Sequence, residues 1–338
     1  MSRTGRRLGG LLLMLHAMAG SLQAQQQHPP EPSVNLGDTS FLDALGAPGF
    51  LLEQIGDASH SGTRSDGTGQ AVPGASAVNS ISGLTHSVLL SKQKVLGAWW
   101  GVEAIVSAAH VNAGSGGVAG GFGDLTVSPL VLQWKALRFG SSQLNQRLVL
   151  DFELPVGEYR RDIPVSLSGH AFTVHPYYAF TFLPTRRIET SWRVHYLYNG
   201  VNNDPAVGRN AQSSQAGQAI HFNATAAYGL PHEVWVGANG YFLRQITDPQ
   251  INGLSIAASP EQVGAIGPGM VWDRGQFLFY VNGYHEVGVL NRPKATSSSC
   301  GRRGSLPYSS FRESYGASDP SYGRRSFEGS FASVEEGL

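Results

Sequence analysis

Apolar and polar residues alternate along two neighbouring runs, 169–183 and 187–200, which meet at a short polar turn at 184–186. Successive side chains of a β-strand point to opposite faces of the sheet, so a period of two indicates a strand. One side of the second run holds Ile188, Thr190, Trp192, Val194, Tyr196 and Tyr198, and the other holds Glu189, Ser191, Arg193, His195 and Asn199. The two runs therefore predict an antiparallel hairpin.

Both strands of this hairpin are longer than the roughly five or six residues usual in globular proteins. Aromatic residues gather near the ends of the apolar face, and the opposite face carries charge. This arrangement is typical of a transmembrane barrel, which has lipid outside and a watery lumen inside. In a soluble sandwich the apolar face would lie inside and the charged face would lie outside. The hairpin therefore favours a membrane barrel.

Alternation of the same kind predicts further strands at 49–57, 81–90, 95–110, 124–134, 143–154, 215–229, 232–245, 261–272 and 276–287. The connections alternate in length, as they do in outer-membrane barrels with long external loops and short periplasmic turns. The long connections are 58–79, 111–121, 157–168, 200–214 and 246–260, and the short ones are 92–94, 138–142, 184–186, 230–232 and 273–275. The pattern predicts an all-β, up-and-down antiparallel transmembrane barrel. About eleven strands are recognisable, and because such barrels have an even number, one strand is missing.

Composition agrees with a single barrel. The chain has 338 residues, 43 of them glycine, with 14% charged and 41% hydrophobic residues. Lumen positions dilute the lipid-facing ones, which explains the ordinary hydrophobic content. The formal net charge is zero and no basic block occurs, so nothing indicates a nucleic-acid partner.

The N-terminal region is predicted to direct export. Residues 1–24 have three arginines, an apolar stretch at 8–19 and a small-residue cleavage site, as in a signal peptide. Residues 25–48 are predicted as a periplasmic segment or a plug of the near mouth, with a short helical turn at 40–45. Cys300 is the only cysteine, so no disulfide within the chain is expected. We therefore predict a bacterial outer-membrane protein.

The end of the chain shows no alternation. We predict a barrel over 49–293 and a disordered Ser/Gly/Arg-rich tail over 294–338. Because a barrel in lipid must close, this tail leads to the hypothesis that a frameshift after about Lys294 replaced the final strand. The alternative is a genuine extension, with residues 38–45 or an earlier stretch closing the barrel.

Two motifs resemble those of the outer-membrane family labelled "MetA pathway of phenol degradation". They are Gly-Phe-Gly-Asp-Leu-Thr-Val-Ser-Pro at 121–129 and Glu-Val-Gly-Val-Leu-Asn-Arg-Pro at 286–293, and the resemblance extends over about 49–293. It implies a transport-type barrel of about twelve strands, linked to aromatic catabolism. Members usually continue into a final strand with an aromatic end, from which this chain departs. The family motif residues are Gly121, Gly123, Asp124, Pro129, Asn291, Arg292 and Pro293.

The parity of the alternation predicts which polar side chains face the lumen. We interpret them as a lining that orients a small, partly apolar solute. The alternative is a solvated interior of neutralising pairs, such as Glu189 with Arg193. The predicted lining is Glu103, Arg147, Asp151, Glu153, His175, Tyr177, Glu189, Arg193, His195, His221, Asn223, Tyr241, Tyr284 and Glu286.

Two groups within this lining invite a chemical interpretation. His175, His195 and His221 are residues of a type that binds metal, but they lack a short ligand spacing, so we interpret them as pore lining and expect no metal. Asp151 and Glu153 point the same way, as paired acids do in a glycosidase, but we interpret them as part of a charged ring. No catalytic residue and no cofactor are predicted.

We predict a channel or transporter for small hydrophobic or aromatic solutes and not an enzyme. One alternative is a structural or adhesive barrel without transport. Another is a lipid-modifying barrel enzyme, which would need a Ser–His pair near the outer rim. The expected partners are outer-membrane lipid, the solute and the barrel-assembly machinery. The sequence leaves the solute and the oligomeric state open.

Overall fold

In the computed structural model, which describes residues 34, 36, 37, 40–275 and 277–306, twelve strands form a closed antiparallel barrel. Each strand pairs with the next along the chain, and the last pairs with the first. The predicted fold class is therefore confirmed. The strands are β1 (Gly49–Arg64), β2 (Val78–Val95), β3 (Ala98–Asn112), β4 (Leu125–Phe139), β5 (Ser142–Leu154), β6 (Thr173–Thr185), β7 (Ile188–Asn199), β8 (Ala219–Leu230), β9 (Val234–Gln245), β10 (Gln262–Asp273), β11 (Phe277–Leu290) and β12 (Pro293–Leu306).

Shorter elements decorate the end of the barrel with long connections, which is the extracellular end in barrels of this kind. The strand Val118–Phe122 extends the sheet beside β3. A small four-stranded sheet is formed by Val201–Asn202, Ser214–Gln215, Gln250–Ile251 and Leu254–Ser255. Single 3-10 turns occur at this end at Gly114–Gly116 and Val207–Arg209, and at the opposite end at Pro231–Glu233, in the short turn between β8 and β9. Within the described ranges, no helix is long and apolar enough to cross a membrane.

The first short turn lies later in the chain than expected. The sequence predicts it at 92–94, but β2 continues to Val95 and the turn is formed by Leu96 and Gly97. Their φ angles are 51° and 77°, which is the left-handed conformation that two-residue hairpin turns require. Lys92 and Lys94 therefore extend the strand on the exposed periplasmic rim.

The prediction of a disordered tail was wrong for residues 294–306, which lie in β12. This strand forms ladders with both β11 and β1, so Cys300 faces Val281 on one side and Gly56 on the other. A Cβ atom at Gly301 would lie 2.2 Å from the Tyr280 ring, because that ring covers the glycine from the neighbouring strand. The strand thought to be missing is therefore present, and the premise of a replaced final strand was wrong.

The outer face of β12 explains why its sequence shows no alternation. Its outward positions are as polar as its inward ones, although backbone pairing closes the sheet all the same. The predicted signal peptide, residues 1–24, and the rest of the predicted tail, residues 307–338, lie outside the described residues. The outward positions include Thr296, Ser298, Cys300 and Arg302, and the inward ones include Ser297, Ser299, Arg303 and Ser305.

An aromatic ladder covers the outside of the barrel across β6 to β9. Phe180 and Trp192 have ring centroids 6.4 Å apart, Trp192 and Phe222 are 5.5 Å apart, and Phe222 and Phe242 are 5.7 Å apart. These side chains lie on the face that the alternation assigns to lipid. The opposite face of the same strands lines the lumen.

Candidate functional site: a lumen closed by the N-terminal segment

Residues Ser40–Leu45, called here the plug segment, lie inside the barrel near the end where β1 begins. Phe41, Leu42 and Leu45 have exposed fractions of 1%, 0% and 1%. Of the two placements predicted for residues 25–48, the periplasm and a plug of the near mouth, these residues take the second. The segment forms a tight turn in which Leu42 has a left-handed φ of 63°, so the predicted helical turn was wrong. Its apolar side chains pack in one cluster with Leu183, Trp235, Leu278 and Tyr280.

Side chains of the wall satisfy the backbone of the plug segment. Buried N–H and C=O groups outside regular structure need such partners. The donated bonds run from Leu42 N to Glu189 Oε2 (3.3 Å), from Asp43 N to Ser191 Oγ (3.3 Å) and from Ala44 N to Thr181 Oγ1 (3.0 Å). The accepted bonds come from Gln133 Nε2 to Ala44 O (3.1 Å), from Arg147 Nη2 to Leu45 O (3.2 Å) and from Arg303 Nη1 to Leu42 O (3.4 Å).

Asp43 carries the charge of the plug segment into the lumen. Its side chain is 2% exposed, and its carboxylate accepts two bonds from Arg193, from Nη2 at 2.7 Å and from Nε at 3.1 Å. Arg303 Nη2 lies 3.6 Å from the same carboxylate. A buried carboxylate is tolerated only when it is paired, so these two arginines stabilise the segment in the lumen.

A layer of buried charge surrounds this contact. Arg303 donates to Glu53 Oε1 from Nη2 at 2.8 Å, and His86 lies 3.3 Å from both Glu53 and Glu103. Tyr177 donates its hydroxyl to Glu103 Oε1 at 3.3 Å. Arg303, Glu53, His86 and Glu103 therefore form a chain in which bases and acids alternate, so each of these four charges has a partner.

The structure places every residue of the predicted lining on the inner face of its strand. The proposed pairing of Glu189 with Arg193 was wrong, because Arg193 binds Asp43 instead. Glu189 accepts bonds from Ser191 Oγ at 2.8 Å and Thr225 Oγ1 at 3.2 Å. Asp151 accepts a bond from Ser128. The members that are nine-tenths or more buried are Glu103, Arg147, Asp151, Tyr177, Glu189, His195, His221, Asn223, Tyr241, Tyr284 and Glu286, and the partly exposed ones are Glu153, His175 and Arg193.

Two tyrosines hold the chain just before the plug segment. Tyr284 donates its hydroxyl to Gly37 O at 2.9 Å, and Gly37 N donates to Asn223 Oδ1 at 3.1 Å. Gly37 has a φ of 83°, and a Cβ there would lie 2.9 Å from the Tyr284 ring, so only glycine fits. The Tyr241 ring is tilted against the Tyr284 ring, with centroids 5.2 Å apart, and its hydroxyl donates to Glu286 Oε1 at 2.9 Å.

The three histidines meet in the extracellular half of the lumen. His175 Nε2 lies 2.8 Å from His221 Nε2, and the His195 and His221 rings stack at 4.1 Å. Strand pairing brings them together, because His221 faces His195 directly and Tyr177, two residues from His175, faces His195 from the other side. Spacing along the chain therefore does not indicate whether these three histidines meet. The register of the strand ladders brings them together.

Several residues of the site were missed from the sequence. Asp43 lies in a segment without periodicity, and Arg303 lies in the supposed tail. Glu53 and His86 fall within the predicted strands 49–57 and 81–90, so parity alone would have assigned them to the inner face. Gln133 is likewise fully buried on the inner face of β4.

The family motif residues hold the extracellular loops rather than the lumen. Asp124 accepts bonds from Gly157 N at 2.9 Å and Gly169 N at 3.1 Å, which fastens both ends of the 155–172 connection. A Cβ at Gly123 would lie 2.4 Å from Ser107 Oγ. Asn291 donates from Nδ2 to Pro260 O at 3.0 Å. The remaining motif positions are Gly121 in the strand beside β3, Pro129 in β4, Arg292 between β11 and β12, and Pro293 at the start of β12.

Comparison with known proteins confirms the family resemblance. Residues 61–299 match the family described as the MetA-pathway of phenol degradation. The fold is similar to that of an outer membrane channel from Pseudomonas putida F1, with 14% identity and a TM-score of 0.68, covering 81% of this chain and 100% of that chain. The transport unit of the autotransporter AIDA-I from Escherichia coli has 9% identity and a TM-score of 0.47, covering 81% and 93%. No curated protein matches the chain. The chain is a bacterial outer-membrane barrel, as the sequence predicts.

Proposed function

The chain belongs to the family described as the MetA-pathway of phenol degradation, and we propose that it is an outer-membrane channel for small hydrophobic or aromatic solutes. The lumen is closed by the plug segment, and passage requires this segment to move. The observation that carries the proposal is a lumen closed by non-covalent contacts alone. The segment is held by hydrogen bonds, by the Asp43–Arg193 ion pair and by apolar packing, so its displacement breaks no covalent bond.

The lining supports the choice of solute class. Tyr177, Tyr241 and Tyr284 lie on the inner wall with Asn223 and Glu286, and because Asn223 and Tyr284 bind Gly37, a solute reaches them only when the chain at Gly37 moves together with the plug segment. Aromatic surface with a few convergent polar groups is how proteins bind small, partly apolar ligands. The family description points to the same class of compound. The polar groups orient the solute and the rings provide contact area.

Solute flux into proteoliposomes tests the proposal. The full-length protein is reconstituted, and swelling is followed with phenol-sized aromatic solutes and with a sugar of similar size. We expect faster swelling than in protein-free liposomes, with the aromatic solutes ahead of the sugar. Absence of swelling with every solute, from barrels that remain heat-modifiable on cold detergent gels, would favour a structural role. Release of fatty acid from the same liposomes would favour the lipid-modifying alternative.

A further inference from the structure

We propose that His175, His195 and His221 form a binding site for one divalent transition-metal ion of the zinc type, in the extracellular half of the lumen. The three side chains come from adjacent strands, β6, β7 and β8, whose backbones are fixed by continuous ladders. Their candidate ligand nitrogens all lie within 4.8 Å of one another. The site goes beyond the channel function and does not depend on it.

The spacing of the nitrogens suits a shared ion. Zinc binds histidine nitrogen at about 2.0–2.1 Å, so two nitrogens on one tetrahedral ion lie about 3.3 Å apart. His175 Nε2 and His221 Nε2 are 2.8 Å apart, and the ring centroids of His175 and His195 are 4.6 Å apart. Because these nitrogens already lie within 4.8 Å of one another, a shared ion requires rotation of the side chains and no movement of the strands.

The hydrogen bonding of the cluster is incomplete. Within the described part of the chain, neither ring nitrogen of His195 has a hydrogen-bond partner, and neither does Nδ1 of His221. Their exposed fractions are 6% and 0%, so bulk water does not replace the missing partners. Buried polar groups are normally bonded. A metal ion accepts a lone pair from each imidazole and so satisfies the nitrogens that the protein leaves unpaired.

The surroundings are compatible with a cation. Arg193 lies near the cluster, stacked 4.8 Å from the centre of the Tyr177 ring, but its charge is paired with Asp43. The carboxylate-bearing Asp151 faces His175 across the β5–β6 ladder. Imidazole ligands select zinc, copper, nickel or cobalt over magnesium or calcium, which prefer oxygen.

Three protein ligands leave one coordination position open. His175 is only partly buried and is therefore the least enclosed of the three ligands. A water molecule would complete the four-coordinate shell. The bound ion ties three strands together in the path that we assign to the solute.

Metal binding to the full-length protein in detergent tests the site. The background is Cys300→Ser, because the exposed thiol is a competing ligand. After equilibrium dialysis against Zn²⁺, we expect one ion per barrel, and with Co²⁺ the visible absorption of a four-coordinate ion. His195→Gln and His221→Gln should each lower the affinity by more than the roughly 10–100-fold that loss of an outer-shell partner costs.

The matched control is His110→Gln, since His110 is exposed on β3 of the same barrel and lies outside the cluster. It should bind like the parent. Heat-modifiability on a cold gel verifies that each variant is folded. The proposal is overturned if the folded parent binds no ion, or if the folded cluster variants bind as tightly as the parent.

Discussion

The two halves of the lumen differ in how their polar groups find partners. Towards the end where β1 begins, the plug segment supplies an amide, a carbonyl or a carboxylate to wall side chains such as Thr181, Gln133 and Arg193. Towards the extracellular end, His195 and His221 face one another with unpaired nitrogens. The first half is therefore built around the plug segment. In the second half Val34 and Leu36 of the same chain pack against the wall, but they leave these histidine nitrogens without partners. Substitutions in the two halves should have unequal effects.

The largest effect is expected at the ion pair of the plug half. Arg193→Ala leaves Asp43 buried beside Arg303 alone, at 3.6 Å. Removal of one partner from a buried pair costs about 3–5 kcal/mol. Urea unfolding of the refolded barrel, followed by tryptophan fluorescence, measures the loss. The control is Arg244→Ala, because Arg244 is exposed on β9 and should cost less than about 1 kcal/mol. If the two variants lose equal free energy of unfolding, the Arg193–Asp43 ion pair stabilises the barrel no more than an exposed arginine does.

The second prediction concerns β12, which brings Arg303 to the plug half. Gly56→Cys should form a disulfide with Cys300, because a Cβ at Gly56 would lie 3.8 Å from Cys300 Sγ. The cross-link should stabilise the barrel by about 2–4 kcal/mol. A mobility shift on a non-reducing gel reports it. Gly83→Cys is the control, because it pairs with Gly56 from β2, one strand further from Cys300. If Gly83→Cys forms a disulfide with Cys300 and Gly56→Cys does not, then β12 does not pair with β1.

A smaller loss is expected when a neutral partner of the plug segment is removed. Gln133 is 0% exposed, donates to Ala44 O and accepts a bond from Arg147 Nε at 2.9 Å. Gln133→Leu leaves both groups unpaired, which costs about 1–3 kcal/mol. The same unfolding experiment measures it. A change within error would mean that water replaces the glutamine and that the plug half is wetter than its burial indicates.

The smallest effect is expected in the histidine half. His195→Phe keeps the stacked ring and removes two nitrogens that have no hydrogen-bond partner within the described ranges. In metal-free buffer the free energy of unfolding should change by less than about 1 kcal/mol or increase. A loss as large as that of Gln133→Leu would show that His195 has a partner in the folded barrel, and the contrast between the halves would fail.

The sequence predicts the wall of the barrel well and its contents poorly. Alternation in β6 and β7 is strong because Phe180 and Trp192 face lipid while Thr181 and Arg193 face the lumen, so strand, face and hairpin follow from the residues. β12 escapes the same reasoning because Arg302 and Ser298 lie on its outer face, where the pattern requires apolar side chains. Its place is fixed by backbone pairing, which leaves no trace in side-chain type.

Partners within the lumen are harder still to predict. The inward direction of Arg193 follows from parity, but its partner Asp43 is 150 residues away in a segment with no period. Glu189, four residues from Arg193 on the same inner face, is the nearer acid along the chain and binds hydroxyl groups instead. The histidine cluster likewise needs the register of β6, β7 and β8, which the sequence of any single strand does not contain.

Single-channel recording in planar bilayers tests most directly whether the plug segment closes the lumen. Asp43→Ala removes the carboxylate that Arg193 and Arg303 hold. Ser40→Ala alters the same segment at a hydroxyl that has no partner within the described part of the chain. We expect long open events in Asp43→Ala, and brief, rare ones in the wild type and in Ser40→Ala. Equal open probability in all three folded proteins would contradict closure by the plug segment.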